Sequence, residues 1–310
     1  MNTNLFFLST LLLTAGLLAG CSKDDDQTNA APRRISVEVS ERPMTPDDPA
    51  AARSLTRASI IETSTLPNFW MRGFYSSTPS EYTVTQTAGV WSVTPNTWPG
   101  GSGNEGKTPF YAYTGGTFYP NTSPYSDKPY VDFTVSEDAF EQNDLLVATN
   151  NLSYSECDGK VPLTFDHACA ALAFNVQMTN TLSSNLSGKT LTVSSIVLKN
   201  VSKVGYYHFD TNAWSDIGAI NEGVKGGQWT DYTLTNSSMD ITTTLKALPC
   251  NYLFVIPQSR AANGTSGTYL EINYTFEGQT ATQATISLDV NWAKGTQYTI
   301  NIKLGTTLIK

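Results

Sequence analysis

Along residues 60–310, apolar and polar side chains alternate in short runs with a period of two. No window of a dozen residues there carries a sustained 3.6-residue apolar period. The pattern predicts strands and leaves helix a minor part. Runs rich in Val, Ile, Thr, Tyr and Phe cover 82–85, 90–93, 110–113, 131–135, 145–148, 171–176, 191–201, 252–256, 268–276, 285–290 and 297–304, and Gly, Pro, Asn, Asp and Ser separate them. In the last run Tyr298, Ile300, Ile302 and Leu304 face one way, and Thr299, Asn301 and Lys303 the other. The expected fold class is all-β, built of antiparallel β-sandwiches. A body of this length suits two sandwiches in tandem better than one. Asn150 to Lys160, with its Asp158-Gly159 pair, is the most loop-like stretch near the midpoint and sets domains at 58–160 and 161–310.

The same alternation occurs ahead of the body, in Ile35-Ser36-Val37-Glu38-Val39-Ser40, and predicts a half-buried strand. Pro43, Pro46, Asp47, Asp48 and Pro49 follow and predict an exposed, protease-accessible loop. This leader is rich in arginine: Arg33, Arg34, Arg42, Arg53 and Arg57 lie in it, and only Arg72 and Arg260 come later. Their placement fits either a processing segment or a balance to nearby acidic residues.

At the start of the chain, Leu5 to Leu18 is an apolar run interrupted only by Ser9, Thr10, Thr14 and Gly16. It falls short of the about 20 apolar residues a spanning helix needs, and suits the apolar region of a secretory signal. It ends in Leu18-Ala19-Gly20-Cys21, which resembles a lipoprotein signal. Small Ala19 and Gly20 admit the bond before Cys21 to a signal peptidase, and the Cys21 sulfur takes the lipid. Residues 1–20 are therefore expected to be a signal peptide, and 21–57 a lipidated tether and leader strand. No Lys or Arg occurs in residues 1–10, so the terminal amine is the only positive charge there. Ser22-Lys23-Asp24-Asp25-Asp26 resembles a surface-export signal, or is a plain charged linker. Two or three acyl chains anchor a protein stably, whereas one is marginal.

Charge and composition then narrow the chemistry. With 27 Asp and Glu against 19 Lys and Arg, the net charge of -8 removes the attraction a nucleic acid partner would need. Two His and four Cys argue against a histidine-rich metal site or a dense disulfide scaffold. There is no Gly-x-Ser-x-Gly, glycine-rich phosphate loop or Cys-x-x-Cys, so neither catalysis nor a cofactor or metal is expected. His167 and Cys169 sit two apart in what reads as one strand, and the pair is read as core rather than as nucleophile and base. Once Cys21 is lipidated, Cys157, Cys169 and Cys250 allow at most one disulfide, with the pairing open. Trp91, Trp98, Trp214 and Trp229 stand next to turn residues and are candidates for stacking on a sugar face, while Trp292 reads as core. A surface glycan-binding lipoprotein that does not polymerise is therefore the second reading.

Five segments together resemble the fimbrillin family, the lipoprotein precursors of type V pili. They are Phe110-Tyr111-Ala112-Tyr113, Gln142-Asn143-Asp144-Leu145-Leu146-Val147-Ala148, Val161 through Leu172, Phe254-Val255-Ile256-Pro257-Gln258, and Trp292 through Ile300. The resemblance implies two transthyretin-like β-sandwich domains carried to the outer membrane as a lipoprotein. It also implies that an arginine-specific protease cuts the leader, and that a neighbouring subunit's strand fills the groove left by the lost first strand. On that implication Ile35–Ser40 is the strand removed, and Arg57 or Arg53 is the cut. Arg57 is preferred because Ala58-Ser59-Ile60-Ile61 would then open the mature body. The partners implied are other fimbrial subunits through donor-strand exchange, the outer membrane through the lipid anchor, and a host or bacterial surface ligand. Only Gly305 to Lys310 follows the last strong strand, a short segment to donate, so stalk, anchor and tip roles all stay open.

Overall fold

A computed structural model describes residues 32–47, 65–76, 78–120, 128–186, 188–215, 229–235, 237–250, 252–277 and 280–306. The expected signal peptide, Cys21, Arg53 and Arg57 lie outside the described residues. Seven strands form the first sheet, in the order β1 (Ser36–Glu41), β10 (Lys160–His167), β9 (Leu146–Leu152), β6 (Thr108–Tyr113), β3 (Asn68–Tyr75), β4 (Thr78–Thr87) and β5 (Val90–Thr94). Period-two alternation gives this sheet an inner face on which Phe69, Met71, Val84, Phe110, Leu163 and Phe165 are buried together. Ile35 and Val37, from the leader, belong to the same core. The sheet curls so that residues before β1 reach its far edge. Arg34 bridges Thr97, the Ile35 N–H donates to the Asn96 carbonyl at 3.0 Å, and the Trp98 N–H donates to the Arg33 carbonyl at 2.9 Å. Curling in this way leaves less open strand edge to pair with other chains.

The other face of the same sheet feeds a second core. Leu146 and Ala148 point into the first core, and Leu145 and Val147, between and beside them, into the second. A four-stranded sheet of β14 (Ala213–Ser215), β13 (Val204–His208), β8 (Tyr130–Thr134) and β7 (Thr117–Tyr119) covers part of that face. It sets Phe118 and Phe209 against Tyr111 at centroid distances of 6.2 and 5.1 Å. The rest of the second core is shared by two larger sheets. One runs β17 (Lys246–Ala247), β11 (Ala170–Met178), β23 (Thr296–Leu304), β2 (Thr45–Pro46), with β18 (Leu253–Val255) also on β11. The other runs β15 (Trp229–Thr235), β12 (Leu191–Ser202), β20 (Tyr269–Phe276), β21 (Thr282–Ser287), with β16 (Met239–Ile241) on β12. The strands β19 (Gln258–Arg260) and β22 (Val290–Trp292) pair separately, and the α-helices among the described residues are α1 (Tyr154–Cys157) and α2 (Asn180–Asn185).

The all-β sandwich class is borne out, and each predicted run overlaps an observed strand. The run 285–290 spans the end of β21 and the first residue of β22. One correction concerns direction: β1 with β10, β11 with β23, and β2 with β23 all run parallel. Alternation records which face a side chain takes and carries no record of strand direction, so antiparallel pairing throughout was an over-extension of it. A second correction concerns the segment after β1, expected to be an exposed loop. Met44 is buried in the second core, and Thr45–Pro46 pairs with Thr296–Gln297. Lys160, the last residue of the expected first domain, opens β10.

Candidate functional site

The leader strand β1 lies along β10 in parallel register, from Ser36 opposite Lys160 to Glu41 opposite Phe165. Its inner row is Ile35, Val37, Val39 and Glu41, beside the β10 row Val161, Leu163, Phe165 and His167, with Val37, Val39 and Glu41 opposite Val161, Leu163 and Phe165. Three apolar positions thus end in a carboxylate on one strand and in an imidazole on the other. Gly159 lets the leader in. The Ser36 N–H donates to the Gly159 carbonyl at 2.8 Å, Gly159 has φ +74°, and a Cβ there would meet the Arg34 carbonyl oxygen at 2.3 Å. The outer row is polar: Ser40 and Thr164 hydroxyls are 3.0 Å apart, and Glu38 pairs with Lys160 at 3.1 Å. Arg42 donates to both oxygens of Asp166 at 2.7 and 2.8 Å. Arg33 anchors the other end through the Asn104 carbonyl at 2.7 Å, the Glu105 carboxylate and the face of Tyr154.

The buried end of the seat is ionic. His167 Nδ1 lies 2.5 Å from Asp144 Oδ2, and its Nε2 lies 2.9 Å from Glu41 Oε1. The side chains of His167 and Asp144 are buried and that of Glu41 nearly so. Burial pulls the His167 pKa down, and the hydrogen bonds and charges of Asp144 and Glu41 outweigh it, leaving the value raised above 6.5. The other Asp144 oxygen accepts from the Cys169 N–H at 3.2 Å. Burial, with Asp144 beside it, pushes the Cys169 thiol far up, which keeps it protonated and inert. Cys169 itself falls between β10 and β11, outside both strands, so it and His167 do not share a strand as expected. Reading His167 as a satisfied core residue agrees with its place, yet both of its partners went unseen: Asp144 is 23 residues away and Glu41 126. The parity of Glu41, in the apolar row of β1, was the signal available.

The four candidate tryptophans occupy different settings. Trp98 is 2 % exposed, packed edge-on against Phe110 and Tyr154 in the first core, so no ring face is open to a sugar. Trp91 is half-buried against Phe69 at 5.2 Å. The Trp214 indole N–H donates to the Ala168 carbonyl at 2.7 Å, and the ring packs against Tyr207. Trp229 is 38 % exposed and carries the Arg260 guanidinium over its ring at 4.3 Å. Trp292 is buried in the second core. None of Cys157, Cys169 and Cys250 takes part in a disulfide among the described residues. Among the described residues no helix is long and apolar enough to cross a membrane.

The fimbrillin-like family model matches residues 63–310, well over half of the chain. The protein belongs to the fimbrillin-like family. Several solved structures share the fold. A fimbrial protein from Bacteroides vulgatus superposes with a TM-score of 0.58 at 17% identity, over 88% of this chain and 95% of that one. A candidate cell adhesion protein from Parabacteroides distasonis gives a TM-score of 0.53 at 10% identity, over 87% and 88%. Another, from Bacteroides ovatus, gives 0.51 at 14%, over 88% and 92%. At these identities the likeness concerns the fold. No curated protein matches the chain. This fimbrillin-like chain therefore has a family-matched body that starts at residue 63 and a leader strand, β1, that lies ahead of it.

Proposed function

We propose that this fimbrillin-like protein is a structural, adhesive subunit of a cell-surface fimbrium that assembles by strand exchange. In this reading it is exported as an outer-membrane lipoprotein through Cys21, and an arginine-specific protease removes the leader at Arg57 or Arg53. One observation carries the reading: Ile35 and Val37 come from outside the matched body and are buried in its first core. A fully buried Val or Ile side chain contributes about 1.5–3 kcal/mol, so a departing leader leaves apolar pockets beside a row of unpaired β10 backbone groups. A strand with the same alternation, supplied by a neighbouring subunit, restores both the ladder and the pockets. The two hydrophobic cores, one on each face of the first sheet, support reading the body as two sandwich layers, while Val161, Leu163 and Phe165 in the first core and Val131, Phe133 and Val147 in the second do not follow a division at residue 160.

Limited digestion of the chain from Ser22 onward with an arginine-specific protease, read by intact mass and size-exclusion chromatography, tests the proposal. The expected result is a cut after Arg57 or Arg53, loss of the leader and appearance of oligomers. A leader that stays bound for good, or a cut product that remains an inert monomer, contradicts it. That outcome would favour the glycan-binding reading, for which the part-exposed ring of Trp229 is the structural support.

A further inference from the structure

We infer that His167 selects the strand that occupies the β1 seat, admitting strands whose inward row reads apolar-x-apolar-x-apolar-x-carboxylate. The inference rests on the strand-exchange reading and adds the chemistry of the partner strand to it. The inner row of β10 ends at His167; Glu41 lies opposite Phe165 in the parallel register, and its carboxylate reaches on to the ring of His167, the next inner residue. Both imidazole nitrogens point at carboxylate oxygens, 2.5 Å to Asp144 and 2.9 Å to Glu41. An ionised carboxylate only accepts, so satisfying both contacts requires a donor at each ring nitrogen, which is the doubly protonated ring. Asp144 is built into the body, held by the Cys169 N–H, and keeps its half of the arrangement whatever occupies the seat. The other half belongs to the leader and leaves with it.

A strand that brings an apolar residue to that position buries the Nε2 donor with nothing to accept from it. Leaving a buried donor unpaired is far worse than never having had one, and a charged donor is worse still. A carboxylate restores the arrangement, and an amide restores only a neutral acceptor. The three apolar positions give affinity and define the direction of the row. The fourth position fixes register, because a slip of two residues moves the carboxylate off the rung at Phe165, from which it meets His167, and puts a different side chain there. The other charged groups nearby are already committed: Arg42 pairs with Asp166, and Lys294 donates to Asn212 at 2.6 Å.

The test uses the full chain from Ser22 with a sequence-specific protease site inserted between residues 50 and 57, so that one nick leaves the leader held without a covalent link. Fluorescent peptides spanning residues 32–47 are then offered in the natural form, as Glu41→Gln and as Glu41→Leu, and binding is followed by polarisation. The expected result is that the natural peptide enters and binds at least about tenfold tighter than Glu41→Leu, with Glu41→Gln between them. On a His167→Leu chain the preference should vanish. If that variant fails to fold, the peptide series on the natural chain still decides the question. Equal binding of natural and Glu41→Leu peptides overturns the inference and leaves strand exchange intact. Failure of every peptide to enter, the natural one included, overturns strand exchange and this inference with it.

Discussion

Strands β11 and β23 run parallel over eight rungs, from Ala171 opposite Gln297 to Met178 opposite Leu304, whereas β1 and β10 run parallel over six. In β11 every residue from Ala170 to Val176 is buried, and β17, β18 and β23 all pair with it. In β1 alternate side chains reach solvent, and among the described residues β10 is its one ladder partner. A strand enclosed on both faces and both edges is framework, and its continuous apolar run is what such enclosure requires. A strand held by one edge and one row of side chains is an occupant. The same parallel geometry therefore serves two purposes, and they differ in how much of the molecule must open for the strand to leave.

The largest expected effect comes from breaking the framework pair. Phe174→Ala empties a fully buried site in β11 and should cost about 3–5 kcal/mol of global stability, read as a lower denaturant midpoint. Next is the ionic end of the seat. Asp144→Ala leaves buried His167 with Glu41 alone and should cost about 3 kcal/mol, with the first sheet losing hydrogen-exchange protection before the second core does. In the seat itself, Val37→Ala removes about two methylenes' worth of burial, roughly 1.5 kcal/mol. After the chain is nicked between residues 50 and 57, this change should speed loss of the leader while the global midpoint moves little.

Acidity sharpens the comparison further. His167 has its pKa raised in the folded state, so the stabilisation it gives is fully present below the ordinary value of 6.5 and is lost as pH rises through the folded value. The titratable groups in contact with it are Asp144 and Glu41, and the Cys169 thiol, beside Asp144, has its pKa pushed far up by burial. Leader release from the nicked chain should quicken as pH rises through that window, and a His167→Gln chain should show no such dependence. The smallest effect is expected on the outer row. Glu38 and Lys160 pair at 3.1 Å with both side chains more than half exposed, and Glu38→Gln should leave midpoint and leader retention unchanged.

Much of this architecture was legible as alternation. The alternation predicts the leader strand at Ile35–Ser40, where Ser36–Glu41 forms, and the apolar run 171–176 predicts the strand β11. The strand β3 was missed because Asn68-Phe69-Trp70-Met71-Arg72-Gly73-Phe74-Tyr75 puts aromatics on both faces: Phe69 is buried while Trp70, on the opposite face, stacks on Tyr113 at 5.9 Å. Parallel pairing was illegible because it is fixed by chain crossovers over more than a hundred residues, which leave no local periodicity. The ionic end of the seat was illegible for the same reason. Its three residues come from the leader, from the segment before β9 and from the end of β10, and each alone looks ordinary.

The most direct test locks the occupant in place. Ser40 and Thr164 face outward on β1 and β10 with their hydroxyls 3.0 Å apart, so Ser40→Cys with Thr164→Cys, in a Cys157→Ser background, is within reach of a disulfide that leaves the core untouched. The oxidised chain is cut with an arginine-specific protease and followed by size-exclusion chromatography, before and after adding a reductant. Strand exchange predicts a cut monomer that keeps its leader while oxidised and forms oligomers once reduced. Oligomers forming at the unlocked rate while β1 is still tied to β10 would contradict the account.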